Sequence, residues 1–200
     1  MTWSGFRPSD DACTYGYLVP SNMFAVVALG YLEEIARLIV ESSDLAKAAA
    51  ELRKEIYDGI ENFAITCKEG YGEVYAYEVD GYGQFNLMDD ANVPSLLSMD
   101  YLGYEGKNPQ VAENTRNLIL SEANPFYYRG AKAEGIGSPH TPVEYIWHIA
   151  LCMQGLTAST REEKKKMIDL AVSTDGGKML MHEGFCVKDD TQYTREWFAW

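Results

Sequence analysis

Apolar residues recur at intervals of three and four through Phe24, Val27, Ala28, Tyr31, Ile35, Leu38 and Ile39, and again through Leu45, Leu52, Ile56, Ile60, Phe63 and Ala64. That period marks amphipathic helices, because 3.6 residues per turn bring such positions onto one face. Only a few polar residues separate the two stretches, so the pattern predicts paired antiparallel helices. Ser21 is placed to cap a helix over residues 22–41. Ser43 or Asp44 is placed to cap a second one that stops near Gly70.

The same reasoning predicts helices over residues 93–99, 110–121, 142–156 and from Ser159 or Thr160 to about residue 173. Pro142 suits a first helical turn, and Arg161-Glu162-Glu163 behind Thr160 suits an N-terminus. Residues 72–84 alternate apolar and polar between glycines, which predicts one short hairpin. No linker, repeat or low-complexity segment divides the chain. The predicted fold class is all-α with that single β insertion, in one domain over residues 1–200. Four loops carry polar side chains just before helices begin: 7–11, 89–92, 138–141 and 182–183. In a toroid of paired helices every second loop falls on one face, so a toroid is preferred over a closed four-helix bundle.

Seventeen basic residues against 30 acidic ones leave a formal charge of −13. A surface of that sign does not bind nucleic acid, whose affinity rests on Lys and Arg. No apolar run approaches the ~20 residues of a membrane span, and the N-terminus lacks the basic and apolar regions of a signal peptide. Cys13, Cys67, Cys152 and Cys186 form no C-x-x-C pair. They are read as buried thiols of a cytoplasmic protein, with disulfides as the alternative.

Asp10 and Asp11 are adjacent in Arg7-Pro8-Ser9-Asp10-Asp11. Such acids form either a solvated turn or a general acid whose pKa is raised by burial and a like charge. Asp89-Asp90-Ala91-Asn92 is equally ambiguous: the acids cap a helix, or one of them holds sugar hydroxyls with Asn92. His140 sits between two glycines and two prolines that fix its backbone. His182-Glu183 lies among Met179, Leu180, Met181 and Phe185, where an unpaired carboxylate is costly. Three histidines without H-x-x-x-H or H-E-x-x-H spacing argue against zinc. Walker, dinucleotide and nucleophile-elbow motifs are absent. Carboxylates, aromatics and no cofactor are what glycoside hydrolysis needs, and the 14 Tyr, 7 Phe and 4 Trp offer faces suited to sugars.

At these same residues the chain resembles glycoside hydrolase family 125, the exo-α-1,6-mannosidases. The segments that carry the resemblance are residues 3–13, 20–25, 89–97, 135–142, 181–183 and 194–200, in the family's order. The departures are Val19 where Ile is expected, His148 where Pro is expected, and Gly184 where Ser is expected. The resemblance implies an (α/α)6 toroid, an inverting mechanism, no metal and no cofactor. It implies Asp10 as the general acid, with Asp11 as the fallback, and Glu183 as the general base. Arg7, Asp11, Asp90, Asn92, His140, His182 and Arg195 are expected to line the sugar site, and the partner is a mannose-containing oligosaccharide. Arg195 has a second reading, as the structural partner of an acid.

The family toroid has twelve helices and this chain about half, so it reads as the C-terminal half of a member, a partial catalytic domain inactive alone. Both ends run into aromatic sequence, Trp3 and Phe6 at one and Trp197, Phe198 and Trp200 at the other. Such ends either dock firmly or continue. A half-barrel would also expose an apolar seam that favours self-association. Two alternatives stand beside the mannosidase: another exo-glycosidase on an α-toroid, and a non-catalytic helical protein that binds sugar or a partner.

Overall fold

The two periodic stretches fold as α1 (Val19–Leu38) and α2 (Ser43–Phe63), packed along their length. The computed structural model describes residues 1–198. Ala199 and Trp200, the end of the aromatic terminal run, lie outside the described residues. Helix α1 starts before Ser21: Pro20 occupies its first turn, where a missing N–H costs nothing. Ser42, rather than Ser43 or Asp44, caps α2 by accepting from the Leu45 N–H at 3.4 Å. Met23, Val26, Ile56 and Ile60 are buried between the helices and the rest of the chain.

Beyond α2 the all-α expectation is corrected. Among the described residues helix makes up 39% and strand 16%, with four small antiparallel sheets, so the fold is mixed α/β. The strands are β1 (Tyr17–Leu18), β2 (Ile65–Lys68), β3 (Gly72–Tyr75), β4 (Glu78–Val79), β5 (Phe85–Asn86), β6 (Tyr127–Arg129), β7 (Glu134–Ile136), β8 (Tyr145–Ile146), β9 (Phe185–Cys186) and β10 (Asp189–Tyr193). The remaining helices are α3 (Met99–Leu102), α4 (Pro109–Ile119), α5 (His148–Leu156) and α6 (Arg161–Ser173). Strands β2 and β3 form one hairpin, β6 and β7 another. The other sheets run β1-β4-β5 and β10-β9-β8.

Short strands with distant partners leave no periodic trace in sequence, and this is why the pattern misleads. Residues 142–147 are not helical because Glu144 takes a left-handed φ of 67° and Tyr145 and Ile146 pair with Cys186 and Phe185. The expected hairpin over 72–84 is split. Gly72–Tyr75 folds back on Ile65–Lys68 around Gly70 (φ 83°), while Glu78–Val79 lies between β1 and β5. The helix expected over 93–99 is mostly turn and yields only α3, which ends at the left-handed Gly103. By contrast α6 starts as read, with the Thr160 hydroxyl accepting from the Glu163 N–H at 3.1 Å.

Phe24, Tyr31, Ile35 and Leu38 on α1, and Ile39 just after it, stay exposed. No helix among the described residues is long and apolar enough to cross a membrane. All four cysteines are free, but only Cys186 is buried: Cys13 and Cys152 are half-buried and Cys67 is exposed.

Candidate active site

The loop before α1 is anchored from below by a buried ion pair. Arg7 Nε lies 2.6 Å from Oε1 of Glu78, a fully buried acid on β4. The other oxygen of Glu78 accepts from the Thr14 N–H at 3.0 Å and Asn86 Nδ2 at 3.0 Å. Burial pushes the Glu78 carboxyl upward, but the bonds from Arg7 and Asn86 and the Arg7 charge outweigh it and hold it below its usual value. Arg7 therefore points into the protein. Asp10, three residues on, is exposed and takes a left-handed φ of 67°. Asp is among the few non-glycine residues that tolerate this region.

Asp90, which is 1% exposed, ties this loop to the next. Its carboxylate accepts from the Ser9 hydroxyl at 2.9 Å and from the backbone and side-chain nitrogens of Asn92 at 3.2 Å each. Burial raises its pKa against these bonds. Asp89 is fully buried and accepts from the Leu96 and Leu97 N–H groups at 2.8 and 3.0 Å, as a cap on the turn ahead of α3. Burial pushes it up to about 8. The Ala91 N–H donates to the Gly137 carbonyl, which joins the third loop to the second.

On that third loop, His140 Nδ1 stands 3.4 Å from Asp11 Oδ2. This Asp11 oxygen is buried and has no hydrogen-bond partner among the described residues. Trp147, 1% exposed, donates from Nε1 to the Thr141 hydroxyl at 3.0 Å and meets the His140 ring edge-on at 6.4 Å. The fourth loop places Glu183, 5% exposed, with Oε1 at 3.3 Å from Arg195 Nε. The Arg195 guanidinium lies over the Phe198 ring at 5.5 Å, and Phe198 packs edge-on against Trp147 at 5.5 Å.

These segments enclose one pocket of about 290 Å³, lined by Ser9, Asp10, Asn92, His140, Glu183 and Arg195 with Trp147 and Phe198 as aromatic walls. That is the lower edge of the volume usual for small-molecule sites, roughly 300–1,000 Å³. Each of the four polar loops contributes a side chain. Arg7, Asp11, Asp90 and His182 do not line the pocket: Arg7 pairs with Glu78, Asp90 holds Ser9 and Asn92, and Asp11 stands behind His140. His182 is fully buried, with its ring bonded to backbone carbonyls. Trp3 and Trp197 are 73% and 65% exposed and are neither core nor pocket wall. Sequence reasoning missed Trp147 and Glu78. Trp147 had a signal in its place directly after the Gly- and Pro-rich His140 loop. Glu78 had none, since the alternation of its strand reads it as solvent-facing. Among the described residues, no group of three or more His, Cys, Asp or Glu side chains is arranged to hold a metal ion.

A family model described as "Metal-independent alpha-mannosidase (GH125)" matches residues 1–200. The meiotically up-regulated gene 157 protein of Schizosaccharomyces pombe is 42% identical over 198 residues, covering 98% of this chain and 39% of that protein. A solved Streptococcus pneumoniae structure, of a metal-independent α-mannosidase in a non-productive substrate complex with α-1,6-mannobiose, is 52% identical. It superposes with a TM-score of 0.96 over 99% of this chain and 47% of its own. The chain thus spans less than half the length of either relative. With the family model matched from end to end, the chain belongs to GH125, the metal-independent α-mannosidases.

Proposed function

We propose that this chain forms part of an exo-acting, inverting α-1,6-mannosidase, with Asp10 as general acid and Glu183 as general base. The observation that carries the reading is that Asp10 and Glu183, from opposite ends of the chain, line one pocket together with Asn92, His140 and Arg195. The pneumococcal relative's complex with α-1,6-mannobiose supports the substrate class. Residues 1–200 form a single partial catalytic domain in this reading.

In the reaction, the Asp10 carboxyl gives its proton to the glycosidic oxygen as the bond to the anomeric carbon breaks. Glu183 takes a proton from a water whose oxygen attacks that carbon from the opposite face. The products are β-mannose and the freed 6-hydroxyl, with the proton now on Glu183 and Asp10 ionised. Solvent exchange restores both. The Arg195 guanidinium stands 3.3 Å from the Glu183 carboxyl and orients it in the pocket. Asp10 is exposed and Glu183 buried, and both line the pocket. Room for the water calls for carboxyl groups roughly 6.5–9.5 Å apart. Asp11 is the fallback acid, and the contact with His140 keeps it near the site.

The test is incubation of the chain with α-1,6-mannobiose, with NMR identification of the anomer formed first. The expected product is β-mannose, lost in Glu183→Gln. The α-anomer first, or a sugar trapped covalently on Glu183, overturns inversion. The chain's length, less than half that of its relatives, favours a second outcome, sugar binding with little turnover, because positioning supplies much of a glycosidase's rate.

A further inference from the structure

Asp90 lies outside the pocket, yet its carboxyl oxygens take bonds from residues that line it. Oδ2 accepts from the Ser9 hydroxyl at 2.9 Å, and Oδ1 from the N–H and Nδ2 of Asn92 at 3.2 Å each. Ser9 and Asn92 both face the pocket. The Ser138 side chain, 1% exposed, bonds the same carboxyl. A hydroxyl has one proton to give. With that proton on Asp90, the Ser138 oxygen is left to accept, and it takes the His140 N–H at 3.2 Å. Beside these contacts the Ala91 N–H donates to the Gly137 carbonyl at 3.1 Å.

Three of the four polar loops therefore meet on one side chain. Ser9 directly precedes Asp10, and Ser138 stands two residues before His140. We propose that Asp90 is a positioning residue, a shared acceptor that fixes the 7–11, 89–92 and 138–141 loops against one another and so sets Asp10, Asn92 and His140 around the pocket.

Asp90 is 1% exposed and is not among the lining residues, so its part in binding runs through the groups it holds. Its neighbour Asp89 shows what a local role looks like, with both oxygens accepting from the Leu96 and Leu97 N–H groups of the turn that follows. The base of the 7–11 loop is held by Glu78, through Arg7 and the Thr14 N–H. That leaves the tip, with Ser9 and Asp10, to Asp90. Asp10 keeps a left-handed φ of 67°, a conformation that persists where the surroundings fix it. The bond from Ser9 to Asp90 supplies a fixed point one residue away. Buried polar groups that share an acceptor are coupled, so the arms stand or fall together more than separate bonds would. The consequence for the sugar rests on the reading of this pocket as the mannoside site. The placement of the loops does not.

Amide hydrogen exchange, followed by NMR, reads the placement without any sugar. The Asp10 N–H is bonded to the Arg7 carbonyl and the His140 N–H to the Ser138 hydroxyl. In Asp90→Ala exchange at both should rise together, at least tenfold. Ile60→Ala, a substitution in the core of α2, serves as a control for lost stability and should leave both amides unchanged. An equal rise in Ile60→Ala makes Asp90 structural and overturns the proposal. Ser9→Ala cuts one arm, so exchange should rise at Asp10 and not at His140. No rise at Asp10 overturns the proposal even where Asp90→Ala does not fold. In calorimetric titration with α-1,6-mannobiose, Asp90→Ala should weaken binding at least tenfold and Ile60→Ala should not. Undiminished binding in Asp90→Ala overturns the proposal. A chain that shows the exchange pattern but binds no mannobiose counts against the substrate reading and supports the placement.

Discussion

Arg195 Nε sits 3.3 Å from Glu183 Oε1, with the arginine side chain 59% exposed and the glutamate 6%. The pair is therefore half in water, and its worth to folding is small, about 0–1 kcal/mol for exposed pairs. Its worth to catalysis is larger in this account, because the guanidinium holds the proposed base in position. Arg195→Ala should lower kcat/KM by ten- to a hundredfold, about 1.4–2.7 kcal/mol, and leave the melting temperature nearly unchanged. Steady-state kinetics beside a thermal melt separates the two effects. Equal loss of both would make the pair structural.

Asp10 and Asp90 should respond oppositely to substitution. Asp10 is exposed, so Asp10→Asn should move stability by less than about 0.5 kcal/mol while removing most turnover. Asp90→Ala strips the acceptor from Ser9 and Asn92 and should cost about 2–4 kcal/mol, since buried donors left unpaired lose roughly 1–3 kcal/mol each. Urea denaturation of both variants checks the contrast.

This division explains how far the sequence could be read. Helices with local signals were legible: α6 from its Thr160 cap, α1 and α2 from their period. The strands were not, because β8 pairs with β9 about forty positions away and two residues cannot display a period. At the site, Asp10, Asn92, His140, Glu183 and Arg195 reach one pocket from motifs that stand out in sequence. Arg7 and His182 stand out equally, yet their polar atoms face Glu78 and two carbonyls instead. Residue type tells that a polar group needs a partner, and only the packing tells which.

His148 should leave a mark on stability as pH changes. Its folded pKa is depressed from 6.5 to about 4, so between those values the unfolded chain binds a proton that the folded ring refuses. Its contribution is complete above about pH 6.5, falls as pH falls towards 4, and levels off below, for a total of about 3 kcal/mol. Asp89, raised to about 8, acts in the opposite sense, since the folded state keeps a proton that the unfolded chain has released. The measurement is therefore the difference between the unaltered chain and His148→Gln in denaturant titrations from pH 4 to 7. That difference should shrink as pH falls. A constant difference would contradict the neutral-ring arrangement.

The exposed residues Tyr31, Ile35 and Leu38 on α1, with Ile39 just after it, make an apolar face of the kind soluble monomers rarely leave uncovered. Sedimentation velocity should find concentration-dependent self-association of the chain, weakened by Ile35→Glu with Leu38→Glu. A monodisperse monomer across the accessible concentration range would contradict this.

The central claim is that the pocket between Asp10 and Glu183 takes a mannoside. The most direct measurement is a titration of the isotopically labelled chain with α-1,6-mannobiose, followed by NMR residue by residue. The account predicts saturable shifts centred on Asp10, Asn92, His140, Glu183 and Arg195, abolished or strongly weakened by His140→Ala. Shifts centred instead on the larger groove of about 650 Å³ between α1 and α2, or no saturable shift at all, would contradict it.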